Sequence, residues 1–256
     1  MPCLKVNNKQ VYYAGDHSLP GVPIVFCHGS GGGHHHWLYQ LKGLKGKANP
    51  IAVDLPGHGR SAGQPLHSVA LYRDWLHQFS QAAGLDQFIP AGHSLGGAIA
   101  IDYALHYPEQ VTGLILVGTG SRLRVLPAFL EALRAGTVPA DFSDFLYGPA
   151  APEQLLTKGR EEVASCAPEI FYADLSACDN FDVSLQLPRI TIPALIICGT
   201  EDRLTPVKYS RFLEEQLPWS RIEIIEGAGH MVMLEKPEAV NEAINRFITE
   251  LTGEKY

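Results

Sequence analysis

The residues best suited to chemistry form a Gly-x-Ser-x-Gly pentapeptide at positions 92–96, with Ser94 at its centre. An apolar run at residues 88–91 precedes it, and a helix-prone run at residues 98–105 follows it. A strand that turns sharply into a helix holds such a serine in a strained conformation with Oγ exposed, and the flanking glycines permit the close approach. The adjacent helix N-terminus favours developing negative charge. The pattern predicts that Ser94 is the nucleophile of an acyl transfer.

A glycine-rich loop offers groups that would stabilise the oxyanion of that reaction. Residues 28–33 read His-Gly-Ser-Gly-Gly-Gly and follow an apolar strand at residues 24–27. Backbone N–H groups aimed at an oxyanion contribute about 3–4 kcal/mol each. We expect the two donors to be the N–H groups of Ser30 and Leu95. The loop lacks Gly-Lys-Ser/Thr and does not read Gly-x-Gly-x-x-Gly into a helix, which argues against a nucleotide site.

A histidine and a carboxylate follow two later strands and would complete a catalytic triad. His230 lies in a small-residue loop after the strand at residues 222–225. It would take the proton of Ser94 and later protonate the leaving group. Asp202 follows the strand at residues 194–198 and would orient the imidazole. The chain order serine, acid, histidine is that of one fold among the three that use this triad.

The choice of Asp202 as the acid depends on its neighbours. Pro206 can start the next helix, which leaves Asp202 in the turn, whereas alternation aims the side chain of Glu201 elsewhere. An alternative position for the acid follows an earlier strand that ends at Val117. Residues 118–121 there read Gly-Thr-Gly-Ser and contain no carboxylate, so the later turn must supply it.

Together these segments resemble the α/β-hydrolase superfamily, in its branch of small, lid-bearing, soluble hydrolases. A further match is the stretch Asp-Leu-Pro-Gly-His-Gly-Arg-Ser at residues 54–61, which resembles the turn after that branch's fourth strand. The resemblance covers essentially the whole chain, with its four segments in the family's order. It implies a hydrolase and does not name the substrate.

The alternation of apolar strands and helices predicts an α/β fold with a mainly parallel central sheet covered by helices on both faces. An opening hairpin is expected around an Asn-Asn-Lys turn at residues 7–9. The other predicted strands are residues 24–27, 51–54, 88–91, 113–117, 194–198 and 222–225. The predicted helices are residues 69–83, 95–107, 206–216 and 237–252.

One interval breaks this alternation and predicts an inserted helical lid. Between residues 120 and 188 there is no apolar strand, but amphipathic pieces are separated by prolines and glycines. We assign residues 121–187 to a lid of about four short helices, and residues 1–120 and 188–256 to the α/β core. Such a lid would roof the active site and exclude water.

The expected substrate pocket is mostly apolar, because the lid is rich in apolar side chains. Its predicted members are Gly29, Trp37, Leu123, Phe129, Phe145 and Met231. Any one lid residue is more often a packing residue between lid and core than a substrate contact.

Several histidines need a separate interpretation. His28 is expected to support the oxyanion loop by hydrogen bonds, and His93 to point into the fold, away from substrate. His58 is expected to organise its own turn. The run of histidines at residues 34–36 suggests a metal site, since imidazole is a common ligand. Three consecutive side chains do not converge easily on one ion and no carboxylate cluster accompanies them, so we expect no metal.

Composition restricts the class of protein. The chain has 256 residues, 46% hydrophobic, enough for one sizeable core with an insertion. Its net charge of −7 argues against nucleic-acid binding. The sequence contains no stretch of about 18 apolar residues, so we expect no membrane span. The N-terminus lacks the pattern of a secretory signal, so we do not expect secretion. The five cysteines, none in a Cys-x-x-Cys pair, are interpreted as reduced thiols of a cytoplasmic protein.

The resulting hypothesis is a cofactor-free serine carboxylesterase for small to medium esters, acting through an acyl-enzyme. Enol-lactone hydrolases stay an alternative, because they resemble this chain over residues 230–237. Hydrolases that cleave carbon–carbon bonds of ring-fission products share the His-Gly-Ser-Gly loop and a following tryptophan, here Trp37. They carry a tryptophan directly after the catalytic histidine, where this chain has Met231. A non-catalytic ligand receptor is a further alternative, disfavoured because all three triad residues are present. The oligomeric state, monomer or dimer, is left open.

Overall fold

A central sheet of eight strands runs through the protein, as seen in a computed structural model that describes residues 3–139 and 141–253. The spatial order is β1-β2-β4-β3-β5-β6-β7-β8. The strands are β1 (Cys3–Val6), β2 (Lys9–Ala14), β3 (Pro23–Cys27), β4 (Asn49–Val53), β5 (Ile89–His93), β6 (Leu114–Val117), β7 (Ala194–Gly199) and β8 (Ser220–Ile225). The predicted core boundaries at residues 1 and 256, and Ala140 in the predicted lid, lie outside the described residues.

The direction of the strands gathers the site at one edge of the sheet. β1 and β2 form the expected antiparallel hairpin, and β2 also pairs antiparallel with β4. From β4 to β8 every neighbouring pair is parallel. The loops that follow β3, β5, β7 and β8 therefore leave the sheet at the same edge, where ligands bind in open α/β sheets.

Helices cover both faces of this sheet. They are α1 (Leu38–Gly43), α2 (Val69–Ala82), α3 (Leu95–His106), α4 (Pro127–Arg134), α5 (Glu153–Ser165), α6 (Pro168–Asp179), α7 (Val207–Gln216), α8 (Val232–Glu235) and α9 (Pro237–Thr252). Alternate residues of β3 face opposite sides: Val25 and Cys27 join the core with α2 and α3, and Ile24 and Phe26 join the core with α9. The prediction of a mainly parallel sheet between two helical layers is confirmed. The short helices α1 and α8 were not predicted, because four to six residues give too few turns for a periodic pattern.

The segment between β6 and β7 is helical. It contains α4, α5 and α6 and two 3-10 helices, Phe142–Phe145 and Ser184–Arg189, where about four short helices were expected. A small apolar cluster of Leu133, Phe142 and Phe171 packs inside it. We call this segment the insertion (residues 121–187). Its assignment as a separate lid stays a prediction.

The same described residues bear on two expectations from the sequence, one about the cysteines and one about membrane spans. No disulfide forms among them, and Cys27, Cys166, Cys178 and Cys198 are free. Within this part of the chain, none of the helices combines the length and the apolar composition that crossing a bilayer requires.

Candidate active site

A cavity of about 360 Å³ lies between the carboxyl edge of the sheet and the insertion. This volume falls in the range of small-molecule sites, which are concave and mostly apolar. Ser94 and His230 line it from the core, and Phe129, Phe145 and Phe171 line it from the insertion. The cavity therefore combines a few polar groups with an apolar wall.

Ser94 occupies a strained turn between β5 and α3. Its φ of 53° and ψ of −115° lie in a region that residues with a Cβ rarely adopt. The turn is held from both sides: the N–H of Ser94 donates to the carbonyl of Val117 (3.0 Å), and the hydroxyl of Thr119 donates to the carbonyl of Ser94 (2.8 Å). These bonds keep the serine at the N-terminus of α3, beside the cavity.

Asp202 and His230 form a buried pair in the loops after β7 and β8. The distance from His230 Nδ1 to Asp202 Oδ2 is 2.9 Å, and the two residues are 2% and 4% exposed. Thr205 donates its N–H to Oδ1 (2.8 Å) and its hydroxyl to Oδ2 (2.7 Å) of the same carboxylate. Burial alone would raise the pKa of Asp202, but His230 and the Thr205 donors outweigh it and hold the pKa well below its usual range.

The protonation of His230 follows from these contacts. An ionised carboxylate only accepts hydrogen bonds, so Nδ1 of His230 must be the donor. A neutral ring then has its lone pair on Nε2, which is the form that can accept a proton. Glu201, the neighbouring carboxylate, is exposed and does not share this contact.

His93 also contacts the loop that contains His230. Its Nε2 lies 3.0 Å from the carbonyl oxygen of His230, and the two rings are 4.4 Å apart. Burial, and then the nearby His230, hold the pKa of His93 well below its usual range, so the ring is neutral and donates from Nε2. His93 also borders the cavity, whereas the sequence-based interpretation placed it away from substrate. His93 is therefore both buried in the core and in contact with His230.

Hydrogen bonds from the core hold the glycine-rich loop after β3. His28 accepts the N–H of Leu55 at Nε2 (3.0 Å), so its Nδ1 donates to the carbonyl of Gly29 (2.8 Å), in line with its predicted structural role. The fully buried Asp54 accepts the N–H groups of His34 (2.6 Å) and Arg60 (2.9 Å). The loop that contains Ser30 therefore has little freedom to move on the core side.

A second buried carboxylate, Asp174 of α6, holds the same loop from the insertion. It is fully buried and accepts the N–H of Gly31 (2.9 Å), the hydroxyl of Tyr72 (2.6 Å) and Nε2 of His58 (2.9 Å). Burial would lower the pKa of His58, but the Asp174 carboxylate outweighs it and the pKa is raised. The carboxylate thus joins the insertion to the residue after Ser30.

The sequence interpretation missed Asp174, although the sequence contains a signal for it. Phe171, Asp174 and Cys178 recur at helical spacing and share the buried face of α6. A lone carboxylate among apolar residues on a helix face must find partners when it is buried. The interpretation of His58 was also incomplete, because this side chain reaches across to the insertion as well as bonding within its own turn.

The predicted pocket residues divide into two groups. Five of the six line the cavity: Gly29, Leu123, Phe129, Phe145 and Met231. Trp37 does not, and this prediction was wrong. It lies at the end of a 3-10 helix (His34–Trp37) and is fully buried in the core, with its ring 4.6 Å from that of Phe26. Of the two residues predicted to donate to the oxyanion, Ser30 lines the cavity. Leu95 directly follows Ser94 as the first residue of α3, so its N–H has no intrahelical acceptor.

The histidine run splits in a way that the sequence does not indicate. Nδ1 of His34 lies 2.9 Å from Asp54, whereas His35 and His36 both point to Glu162 on α5. We expected no metal because three consecutive side chains converge poorly on one ion and because no carboxylate cluster accompanies them in the sequence. This expectation overlooked Glu162, which is distant in sequence and comes close only when the insertion packs on the core.

Replacing Asp174 by Asn tests the contact between the insertion and the loop. An amide cannot accept from all three donors, so we expect the free energy of unfolding to fall by about 3 kcal/mol, as when one partner of a buried pair is lost. Part of this loss comes from the pair of charged His58 with Asp174. That part should be fully present below about pH 6.5, the pKa of a histidine in the unfolded chain, and should disappear as pH rises through the raised pKa of His58 in the folded protein. Urea unfolding at several pH values measures both effects. The matched control is Glu169→Gln, an exposed acid on the same helix, expected within about 0.5 kcal/mol of wild type. Equal stability of the two variants would contradict the account.

Known proteins are similar to this chain over most of its length. A sequence profile of the alpha/beta hydrolase family matches residues 24–243. A putative carbamate hydrolase RutD of Cronobacter turicensis is 29% identical, over 93% of this chain and 95% of its own length. An acetyltransferase component of an acetoin-cleaving system from Pseudomonas putida is 29% identical over 89% of this chain; the match spans 64% of that relative.

A solved structure extends the similarity to the arrangement of the elements. A thermophilic esterase is 34% identical and superposes with a TM-score of 0.83, covering 98% of this chain and 97% of that chain. The family profile spans most of the chain, including Ser94, Asp202 and His230. The protein is therefore a member of the alpha/beta hydrolase family and a hydrolase.

Proposed function

We propose that the protein is a serine hydrolase that cleaves small to medium carboxylic esters through an acyl-enzyme. One observation is central to this proposal. A strained serine at a helix N-terminus shares a cavity with a histidine whose Nδ1 donates to a buried, ionised aspartate. This arrangement supports the roles of a Ser-His-Asp triad, which is recognised by geometry rather than by sequence position.

In the first step Ser94 Oγ attacks the ester carbonyl while Nε2 of His230 takes the hydroxyl proton. The imidazolium that forms is stabilised by Asp202, which also holds the ring in the tautomer that leaves Nε2 basic. His230 then protonates the departing alkoxide, and the acyl group stays on Ser94. A water molecule, deprotonated by His230, then attacks the acyl carbonyl. The bond to Ser94 Oγ breaks, His230 returns the proton to Ser94, and the acid leaves.

The negative oxygen of each tetrahedral intermediate needs two donors beside Ser94. Leu95 is the first residue of α3, so its N–H lies at the positive end of the helix dipole, which also favours a negative oxygen there. The N–H of Ser30 belongs to a loop bound by buried carboxylates on both sides, at His34 and at Gly31. Donors that are already oriented before reaction cost no reorganisation when charge develops, which is why such groups contribute strongly to catalysis.

The apolar cavity wall supports a substrate with an uncharged acyl chain. Leu123, Phe129, Phe142, Phe145 and Met231 are apolar residues that border the cavity. The name of the esterase with 34% identity is in line with this substrate class. Another relative is named a putative carbamate hydrolase. Attack on a carbamate carbonyl gives a tetrahedral oxyanion like that formed from an ester. We therefore propose ester cleavage as the main activity and include a carbamate in its test.

We further propose that the insertion, residues 121–187, is a lid that covers the reaction. Its side chains form one wall of the cavity, and Asp174 ties it to the oxyanion loop. A cover of this kind excludes water and strengthens the electrostatic interactions inside.

Turnover of a substrate series tests the proposed activity. We expect wild type to hydrolyse p-nitrophenyl esters with acyl chains of about two to eight carbons faster than long-chain triglyceride emulsions, because a cavity of about 360 Å³ holds a short chain. A phenyl carbamate, an enol-lactone and a ring-fission product complete the series. Ser94→Ala should lose most turnover and retain only the residual rate from binding and the oxyanion donors. Strong activation on triolein, or wild-type rates in Ser94→Ala, would refute the proposal.

Two neighbouring carboxylates test the identity of the acid. Asp202→Asn keeps the shape but removes the charge and favours the wrong tautomer, a change that costs about 10⁴ in kcat in a serine protease. We expect kcat to fall at least about 100-fold here. Glu201→Gln, which alters an exposed side chain, should stay within about twofold of wild type. Both kcat values are measured on one short-chain ester, with folding checked by circular dichroism. A crippled Glu201→Gln beside a nearly normal Asp202→Asn would show that the acid is misassigned.

A further inference from the structure

A cluster of His35, His36 and Glu162 lies outside the serine machinery, where the insertion meets the core. Nε2 of His35 and Nε2 of His36 are 2.6 Å and 2.8 Å from the same oxygen, Oε1 of Glu162. All three donor atoms lie within 4.8 Å of one another. We propose that these residues bind a single divalent transition-metal ion of the Zn²⁺ class.

The orientation of the two rings makes this possible although they are neighbours in sequence. Both histidines belong to a short 3-10 helix, and their rings are 4.6 Å apart with an interplanar angle of 68°. The rings are thus turned so that both Nε2 atoms point at one carboxylate oxygen. His34 is excluded from the cluster, because its ring contacts Asp54 instead.

The distances are close to those of a coordinated ion. Zinc lies about 2.0–2.2 Å from imidazole nitrogen and carboxylate oxygen, so neighbouring ligand atoms of a tetrahedral site are roughly 3.3 Å apart. The nitrogen–oxygen distances of 2.6 Å and 2.8 Å need to widen by well under 1 Å. Rotation of exposed side-chain bonds is sufficient for this, because His35 is 46% exposed and Glu162 is 29% exposed.

The chemistry of the donors selects the ion. Two imidazoles and one carboxylate form a set that binds zinc and leaves a fourth position for water. Divalent ions that prefer all-oxygen sites, such as Mg²⁺, match it poorly.

An ion bound at this cluster would affect the cavity, because the cluster borders it. His36 and Glu162 line the same cavity as Ser94, and Glu162 lies on α5 of the insertion. A bound ion would crosslink the insertion to the segment that follows the oxyanion loop, with its open position at the cavity wall. We expect this to slow ester turnover, and that expectation rests on the proposed function, whereas the binding itself does not.

Calorimetric titration of ZnCl₂ into the chelator-treated full chain at neutral pH tests the binding. We expect one site per chain in wild type, with affinity weakened at least about tenfold in Glu162→Gln and in His35→Gln, since each removes a ligand. Glu161→Gln, an exposed acid next to Glu162 on the same helix, is the matched control and should bind as wild type. Thermal unfolding of every variant shows that each is folded. His35 is the more exposed ligand, so its loss keeps the test valid if Glu162→Gln is unstable. No site in wild type, or undiminished binding in both ligand variants, overturns the proposal.

Rates of short-chain ester hydrolysis with and without Zn²⁺ test the consequence. We expect saturating zinc to lower kcat/KM at least about fivefold in wild type and Glu161→Gln, and to have little effect in His35→Gln. Mg²⁺ at the same concentration is the ion control. Calorimetric binding without inhibition would overturn the regulatory part alone. Absence of turnover in metal-free wild type would instead refute the proposed esterase function and leave the binding result standing.

Discussion

The close contact between the β5–α3 turn and β3 is the constraint on which the rest of the site depends. A Cβ at position 92 would lie 2.0 Å from the backbone of Gly96, and a Cβ at position 96 would lie 2.2 Å from the carbonyl oxygen of Cys27. Neither distance is possible, so only glycine fits at both positions. The helix can then start directly against the sheet, and Ser94 between the glycines must adopt a positive φ of 53°. The close packing of this turn therefore causes the backbone strain at Ser94, and the favourable packing of the surrounding core offsets its cost.

Buried carboxylates orient the parts around this turn. Asp54 binds the glycine-rich loop from the core, Asp174 binds it from the insertion, and Asp202 binds His230. Each accepts at least two hydrogen bonds, so the cost of burying its charge is offset by oriented donors. The partners are backbone N–H groups, rigid rings and buried hydroxyl groups, so these carboxylates hold the surrounding loops in fixed positions. The position of the glycine-rich loop consequently depends on both the core and the insertion.

Much of the core could be predicted from the sequence, since its signals are local. Each strand is an apolar run followed by a turn, and parallel strands bring the residues after β3, β5, β7 and β8 to one edge. The contacts of three residues, Asp174, Glu162 and Trp37, could not be predicted from such local signals. The partners of the two acids are more than 100 residues away in sequence, and depend on how the insertion packs. Trp37 closely follows the glycine-rich loop in sequence, but its indole packs in the core against Phe26.

Active-site labelling tests the central claim most directly, because it depends on the nucleophile and on its activation together. A fluorophosphonate reacts with an activated serine, releases fluoride and leaves a covalent phosphonyl group that resembles the tetrahedral intermediate. The account predicts one adduct per chain by intact-mass spectrometry, located by peptide mapping at Ser94. The adduct should be absent in Ser94→Ala and should form much more slowly in Asp202→Asn. A folded wild-type protein that takes up no label, or takes it up at another residue, would contradict the account.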